Sequence, residues 1–211
     1  AHGGAYGGAS ENGTCATLHT MAVNGYGTAS PDTRLELNFY TGRVEVDGKY
    51  VTLDDGTPLQ YMPLAVEQNL TASKYIETAG ARMKKYEVDR TAYSDGRMPD
   101  NDIVLYRYAD VLLMKAEAKV RNGETGDEQL NAVRSRAGMP SLAATLANIL
   151  DERLLELVWE GWRRQDMIRF GTYCEPYDIH TPSAADKKRY TIVFPIPEKA
   201  RELNPNLAQN P

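Results

Sequence analysis

The 211 residues include only two cysteines, three histidines and three phenylalanines. Cys15 and Cys174 lie far apart, and two cysteines define no disulfide framework, so two free thiols are expected. Of His2, His19 and His180, only His19 has a second candidate ligand at metal-binding spacing, Cys15, and one pair does not make a site. No apolar run approaches the roughly 18 residues of a membrane span. Lysine and arginine number 24 against 29 aspartates and glutamates, a net charge of −5. That balance gives no electrostatic footprint for nucleic acid and none for an anionic membrane surface. No Gly-x-Ser-x-Gly elbow or His-Glu-x-x-His helix occurs. The glycines of GGAYGG follow no predicted strand and open no helix, so they are turn material rather than a phosphate cradle. Asp100 and Asp102 lack the spaced ligands of a calcium loop, and Asp102 is expected to cap a helix instead. The chain opens AHGGAYGGAS, without a signal peptide or an initiating Met, so a preceding segment is expected to have been removed.

What remains is the composition of a globular protein, 42% hydrophobic and 25% charged, of a length suited to one domain. Seven of the 17 glycines fall in the first 30 residues and six of the 11 prolines after position 170. The expected organisation is therefore a loop-rich segment 1–100, a helical core 101–171 and an extended Pro-rich tail 172–211. In the first segment, RVEVDGKYVTL alternates around Asp47-Gly48, which predicts a hairpin of 43–46 with 49–53 on a type I′ turn. ASKYIETAGARMKKYEV reads equally as a helix broken near Gly80 or as two extended pieces. Asn12-Gly-Thr14 and Asn69-Leu-Thr71 fit the N-glycosylation pattern, which also arises often by chance.

The core predicts three helices. The first carries Val104, Tyr108, Val111, Leu112, Ala116 and Val120 on one face, between Asp102 as N-cap and Asn122-Gly123 as stop. The second, DEQLNAVRSRAG, turns Leu130, Val133 and Ala137 inward. Together they span about 36 residues, close to the roughly 34 of a tetratricopeptide unit, and such a unit needs stacked neighbours to bury its faces. Neighbouring repeats upstream are one source of cover; the third helix and the loops are the other. The third helix is predicted from Thr145 to about Phe170, with Ile149, Leu150, Leu154, Leu157, Val158 and Ile168 as its core stripe and Gly161 as a close-packing point. The fold expected is mostly α: a tetratricopeptide-like hairpin, a long third helix and an irregular part with a small β-hairpin.

Glu152, Glu156 and Glu160 recur every four residues, with Glu160 and Arg164 as an i,i+4 pair, and read as a salt-bridge ladder on the helix surface. A hydrolase built on Glu156 or Glu160 would need a facing acid from another element. Trp159 and Trp162 are read as packing groups rather than a stacking platform. Thirteen tyrosines against three phenylalanines favour wet, hydroxyl-rich contacts; Tyr6, Tyr26, Tyr40 and Tyr61, in the loop-rich third with Tyr50, are the candidate ligand contacts.

In order, LYRYADVLLMKAEA, LNAVRSRAG, DERLLELVWEGWRRQDMIRFG and FPIPEKARELNPNLAQNP resemble the C-terminal half of SusD/RagB-like proteins over about residues 103–211. SPDTRLELNFY is similar to that family's Asp-x-Arg stretch. The resemblance implies a non-enzymatic, surface-exposed lipoprotein of the bacterial outer membrane, without a cofactor. It would bind glycan or oligosaccharide and work with a SusC-type TonB-dependent transporter, reaching the membrane only through a lipid anchor absent from this chain. It assigns motif positions to Arg107, Asp110 and Glu117, to Arg134, Arg136 and Gly138, and to Glu152, Arg153, Glu156, Gly161, Arg163, Arg164, Asp166 and Arg169. Pro195, Pro197, Asn204, Pro205, Asn210 and Pro211 mark the tail. All are expected to be architectural, with the ligand on variable loops. The alternative is a scaffold that docks the transporter and has no sugar site of its own.

Overall fold

The computed structural model describes residues 2–6, 14–67, 69, 73–92, 94 and 99–210; Asn12 and part of the second sequon lie outside them. The chain divides into two compact units, Ala1–Arg163 and Arg164–Pro211.

In the first unit, Thr17 caps the short helix α1 (Leu18–Val23), its hydroxyl accepting from the Thr20 amide. Helix α2 (Leu35–Asn38) leads into three two-stranded antiparallel ribbons. β1 (Phe39–Tyr40) pairs with β6 (Arg82–Met83), β2 (Gly42–Arg43) with β5 (Gln60–Tyr61), and β3 (Glu45–Val46) with β4 (Lys49–Tyr50). The third is the expected hairpin, with shorter strands. Asp47 and Gly48 both have positive φ, 52° and 74°, which is what a type I′ turn requires. Val44, Val46, Leu59 and Tyr61 form a small core beneath these ribbons. The ambiguous segment after Ala72 contains turns and β6, and no helix.

The helical part consists of α3 (Tyr108–Arg121), α4 (Asp127–Arg136) and α5 (Leu146–Leu157), and α5 packs against α3. The hairpin prediction holds, and Leu130 and Val133 are buried as expected. Its close approach lies at Gly126, where an added Cβ would stand 2.7 Å from the Ala116 carbonyl oxygen. Gly126→Ala is therefore expected to cost about 1–3 kcal/mol by overpacking. A urea titration reads this as a lower midpoint at unchanged slope; an unchanged midpoint would contradict so tight an approach.

Helix α3 starts five residues later than Asp102 as N-cap predicts. Arg107 occupies the N-cap position with extended backbone, φ −145°, because its side chain reaches into α5. Ile103, Leu105 and Tyr106 are left exposed before the helix. The buried face is Asp110, Leu113, Ala116 and Glu117, whereas Tyr108 and Val111 face outward. Hydrophobic spacing alone missed this rotation because two of the buried positions are carboxylates.

The long third helix is likewise two helices. α5 ends at Leu157, Trp159 and Gly161 take positive φ of 67° and 81°, and α6 (Arg163–Arg169) begins afresh. The cause lies in the Glu156 carbonyl. It accepts from Arg107 Nη2 at 2.6 Å and Lys85 Nζ at 2.8 Å, while the Glu160 amide turns to Leu157 instead. Gly161 has nothing within 4 Å of where a Cβ would be; it serves a left-handed turn rather than close packing.

In the second unit, helices α7 (Ala184–Lys187) and α8 (Glu198–Leu203) interrupt what proline content suggested was an extended tail. A Ser183/Asp186 capping box starts α7, and Pro197 precedes α8 as its N-cap residue, with ψ 136°. The Gln209 side chain bonds both backbone groups of Ile196, at 2.8 and 2.9 Å, closing the tail on itself.

Candidate functional site

Two assemblies in the first unit bring together the side chains with chemical potential. The first is built on α5. Helical spacing puts Glu152 and Glu156 on one face, and both are buried, not on the surface as a ladder would be. Asp32 and Arg34 meet them from the loop before α2: Arg34 Nε and Nη2 hold Asp32, and Nη1 donates to Glu152 at 2.7 Å and Glu156 at 2.9 Å. Arg134 reaches Glu152 from α4 at 2.7 Å, and Arg136 reaches Glu156 at 2.6 Å. Arg107 bonds Glu156 at 2.5 Å and Glu160 at 2.8 Å, and Lys85 closes on Glu160. Glu160 thus pairs with Arg107 and Lys85, in place of the i,i+4 partner Arg164.

Electrostatics follow from that wiring. Burial pushes the Glu156 and Glu160 carboxyls up, but hydrogen bonds from Arg107, Arg34 and Lys85 outweigh it, and both end below their ordinary values. Neither is a raised-pKa general acid, and each is engaged by several cations, so neither is poised for hydrolysis. The assembly holds elements together.

The other motif positions pair similarly. Arg153 on α5 bonds Asp110 on α3 at 2.7 Å, both 1% exposed. Glu117 accepts from Arg121. In the second unit Asp166 accepts from Arg169, and Arg164 lies over Tyr173 and Phe194 while donating to the Thr191 carbonyl.

The second assembly is a ribbon of tyrosines and cations beside the β-ribbons. The Tyr6 and Tyr40 hydroxyls are 2.5 Å apart. Lys84 lies over the Tyr40 ring at 5.6 Å and Arg90 over Tyr6 at 5.2 Å. Arg90 grips Asp47 with two bonds of 2.6 and 2.8 Å. Burial, with the Tyr6 hydrogen bond, pushes the Tyr40 phenol well up, so its proton stays on as a donor. Both tyrosines are half-buried and offer hydroxyls and ring edges; Tyr50 on β4 is 57% exposed, with Arg43 over its ring at 5.1 Å.

The four candidate tyrosines therefore separate. Tyr6 and Tyr40 come together. Tyr61 is a core residue, 2% exposed beneath Arg82, and is corrected from ligand contact to packing group. Tyr26 packs, partly buried, on the cluster of Ala16, Met21, Leu35, Phe39 and Ala81. Lys84, Arg90 and Asp47 were missing from the sequence-based candidates, whereas Tyr50 was named with the tyrosines of the loop-rich third; the signal for Asp47 was the Asp47-Gly48 turn, which projects the hairpin.

Trp159 packs on Phe39 and donates to the Asn38 carbonyl, and Trp162 packs on Tyr106, as expected. Cys15 and Cys174 are free thiols. Among the described residues no group of three or more His, Cys, Asp or Glu side chains could hold a metal ion.

A family model described as the SusD family matches residues 19–211. The starch-binding protein SusD of Bacteroides thetaiotaomicron is 30% identical over 136 residues, 61% of this chain and 25% of that protein. A SusD-like protein of Formosa agariphila is 32% identical over 127 residues, 53% of this chain and 24% of its own length. The crystal structure of a SusD superfamily protein from Bacteroides vulgatus shares the fold, with TM-score 0.56 at 21% identity over 92% of this chain and 43% of that one. The chain spans about a quarter of the length of the curated relatives it matches.

Proposed function

Because the chain belongs to the SusD family, we propose that it takes part, without catalysis, in capturing glycan or oligosaccharide nutrients at the bacterial outer-membrane surface. Delivery would be to a SusC-type TonB-dependent transporter, with a lipid anchor elsewhere in the protein holding it to the membrane. A relative that is starch-binding by name supports the ligand class. No helix among the described residues is long and apolar enough to cross a membrane. The observation that carries the reading in this chain is the Lys84–Tyr40–Tyr6–Arg90–Asp47 ribbon. It sets phenolic hydroxyls, a carboxylate and two cations on one surface, a mixture suited to sugar hydroxyls.

Tyr40→Ala is expected to weaken glycan binding about ten-fold, which is about 1.4 kcal/mol, in calorimetry against a panel of neutral and acidic polysaccharides. Unchanged affinity in a Tyr6→Ala/Tyr40→Ala variant would move the ligand off the ribbon. No binding to any panel member by the full-length protein would overturn the reading. The scaffold reading draws on the apolar residues Ile103, Leu105, Tyr106 and Tyr108, which are 69–87% exposed. It requires transporter co-purification that persists in the tyrosine variants.

A further inference from the structure

We propose that the cleft between α1, the loop before α2 and the start of α5 is a second, separate binding site, sized for one small neutral polyol such as a single sugar ring. The cleft measures about 240 Å³. That is room for about eight waters at roughly 30 Å³ each, and less than the roughly 300 Å³ at which drug-sized pockets begin. It shares no residue with the tyrosine ribbon.

Its polar groups come from three segments and are incompletely used. Asn24, 1% exposed, donates through Nδ2 to the Thr20 carbonyl, which fixes the amide orientation. Its Oδ1 is then a buried acceptor with no protein partner. An orphaned acceptor of this kind is costly unless water or a ligand supplies a proton. Arg134 spends Nε on the Pro140 carbonyl and Nη1 on Glu152, leaving Nη2 with no protein partner among the described residues. Asn148 uses its amide nitrogen on the Ala143 carbonyl, and its Oδ1 accepts no hydrogen bond among the described residues. Ser30 and Asp151 lie on the rim, the latter 47% exposed.

The lining opposes an anion: Asp32, Asp151 and Glu152 stand beside the cavity against the one cation Arg134. Hydroxyl groups, which both donate and accept, answer a lining that sets the Arg134 donor beside the Asn148 amide oxygen and the half-exposed Asp151 carboxylate. Met139, Leu142 and Leu155 supply an apolar wall for the C–H face of a ring.

The test uses nuclear magnetic resonance of the 211-residue chain titrated with D-glucose, with glycerol as the smaller polyol and glucuronate as the anionic counterpart. Saturable millimolar shifts of the Asn24 and Asn148 side-chain amides are expected with glucose, and at least ten-fold weaker ones with glucuronate. Leu142→Trp would fill the cleft from a position already 41% exposed and is expected to abolish the shifts. Ser30→Tyr blocks the opposite rim and serves if the tryptophan variant misfolds. Tyr40→Ala is expected to leave the shifts unchanged, which separates this site from the ribbon. Absence of saturation, shifts that survive both blocking variants, or equal response to glucuronate would overturn the proposal and leave the cleft to water.

Discussion

Replacing Arg34 by methionine is expected to cost about 3–5 kcal/mol of folding stability. The guanidinium is 7% exposed and serves three carboxylates, Asp32, Glu152 and Glu156. Methionine fills much of the volume but leaves those charges buried with fewer partners. Taking a charge out of water is tolerable only while its counter-ion stays, so the loss exceeds the worth of any one bond. Chemical denaturation of Arg34→Met should show the fall, and Arg34→Lys should recover little because a point charge cannot serve three partners at once. A Glu152→Gln change added to Arg34→Met should restore part of the stability, since it removes one stranded charge. A loss below about 1 kcal/mol in the single variant would mean that the neighbouring arginines take over the stranded carboxylates.

Acidification should unfold the same assembly without mutation. Asp32, Glu156 and Glu160 all have folded-state pKa values below their ordinary ones. For each, burial acts upward and is outweighed by cation hydrogen bonds, from Arg34 at Asp32 and from Arg107 with Arg34 or Lys85 at the glutamates. A depressed carboxyl contributes stability that is complete above its unfolded pKa, about 3.9 for Asp and 4.3 for Glu. That contribution is lost as pH falls through the folded value. Stability is therefore expected to be flat from about pH 7 to 5 and to drop steeply below about pH 4, where protonation would leave Arg34, Arg107, Arg134, Arg136 and Lys85 facing one another. Denaturation midpoints measured from pH 3 to 7 check this. A profile as steep between pH 5 and 7 as below pH 4 would assign acid sensitivity to other groups.

Periodicity identified the α3–α4 hairpin, the face of α4 and the apolar stripe of α5, because local spacing determines which residues share a helix face. It could not say what lies opposite that face. Glu152 and Glu156 look the same on a surface ladder as in a buried cluster; the difference is Arg34, 118 and 122 residues away. Both misplaced helix boundaries have this tertiary origin. Arg107 holds extended backbone in order to reach α5, and the cations on the Glu156 carbonyl end α5 within a segment whose residues are competent for helix. The tyrosines were visible as a population, but Tyr61 and Tyr40 are separated only by which side of a two-residue strand each occupies. The cleft around Asn24 had no sequence signal, since an unused acceptor is a property of packing.

The reach of Arg34 also bears on how the chain comes to be folded. Helices α3, α4 and α5 meet through short loops, so their contacts cost little closure entropy. The bonds from Arg34 to Glu152 and Glu156 reward the chain only after a loop of more than a hundred residues has closed. The helical part can therefore assemble ahead of the loop-rich third. That third, with its tyrosine ribbon, is fastened afterward by long-range contacts: Arg34 on Glu152 and Glu156, Lys85 on Glu160, and Trp159 on Phe39. An interaction formed after the rate-limiting step governs how slowly the protein opens rather than how fast it folds. Those fastenings are thus a brake on losing the tyrosine ribbon while the helices stay assembled.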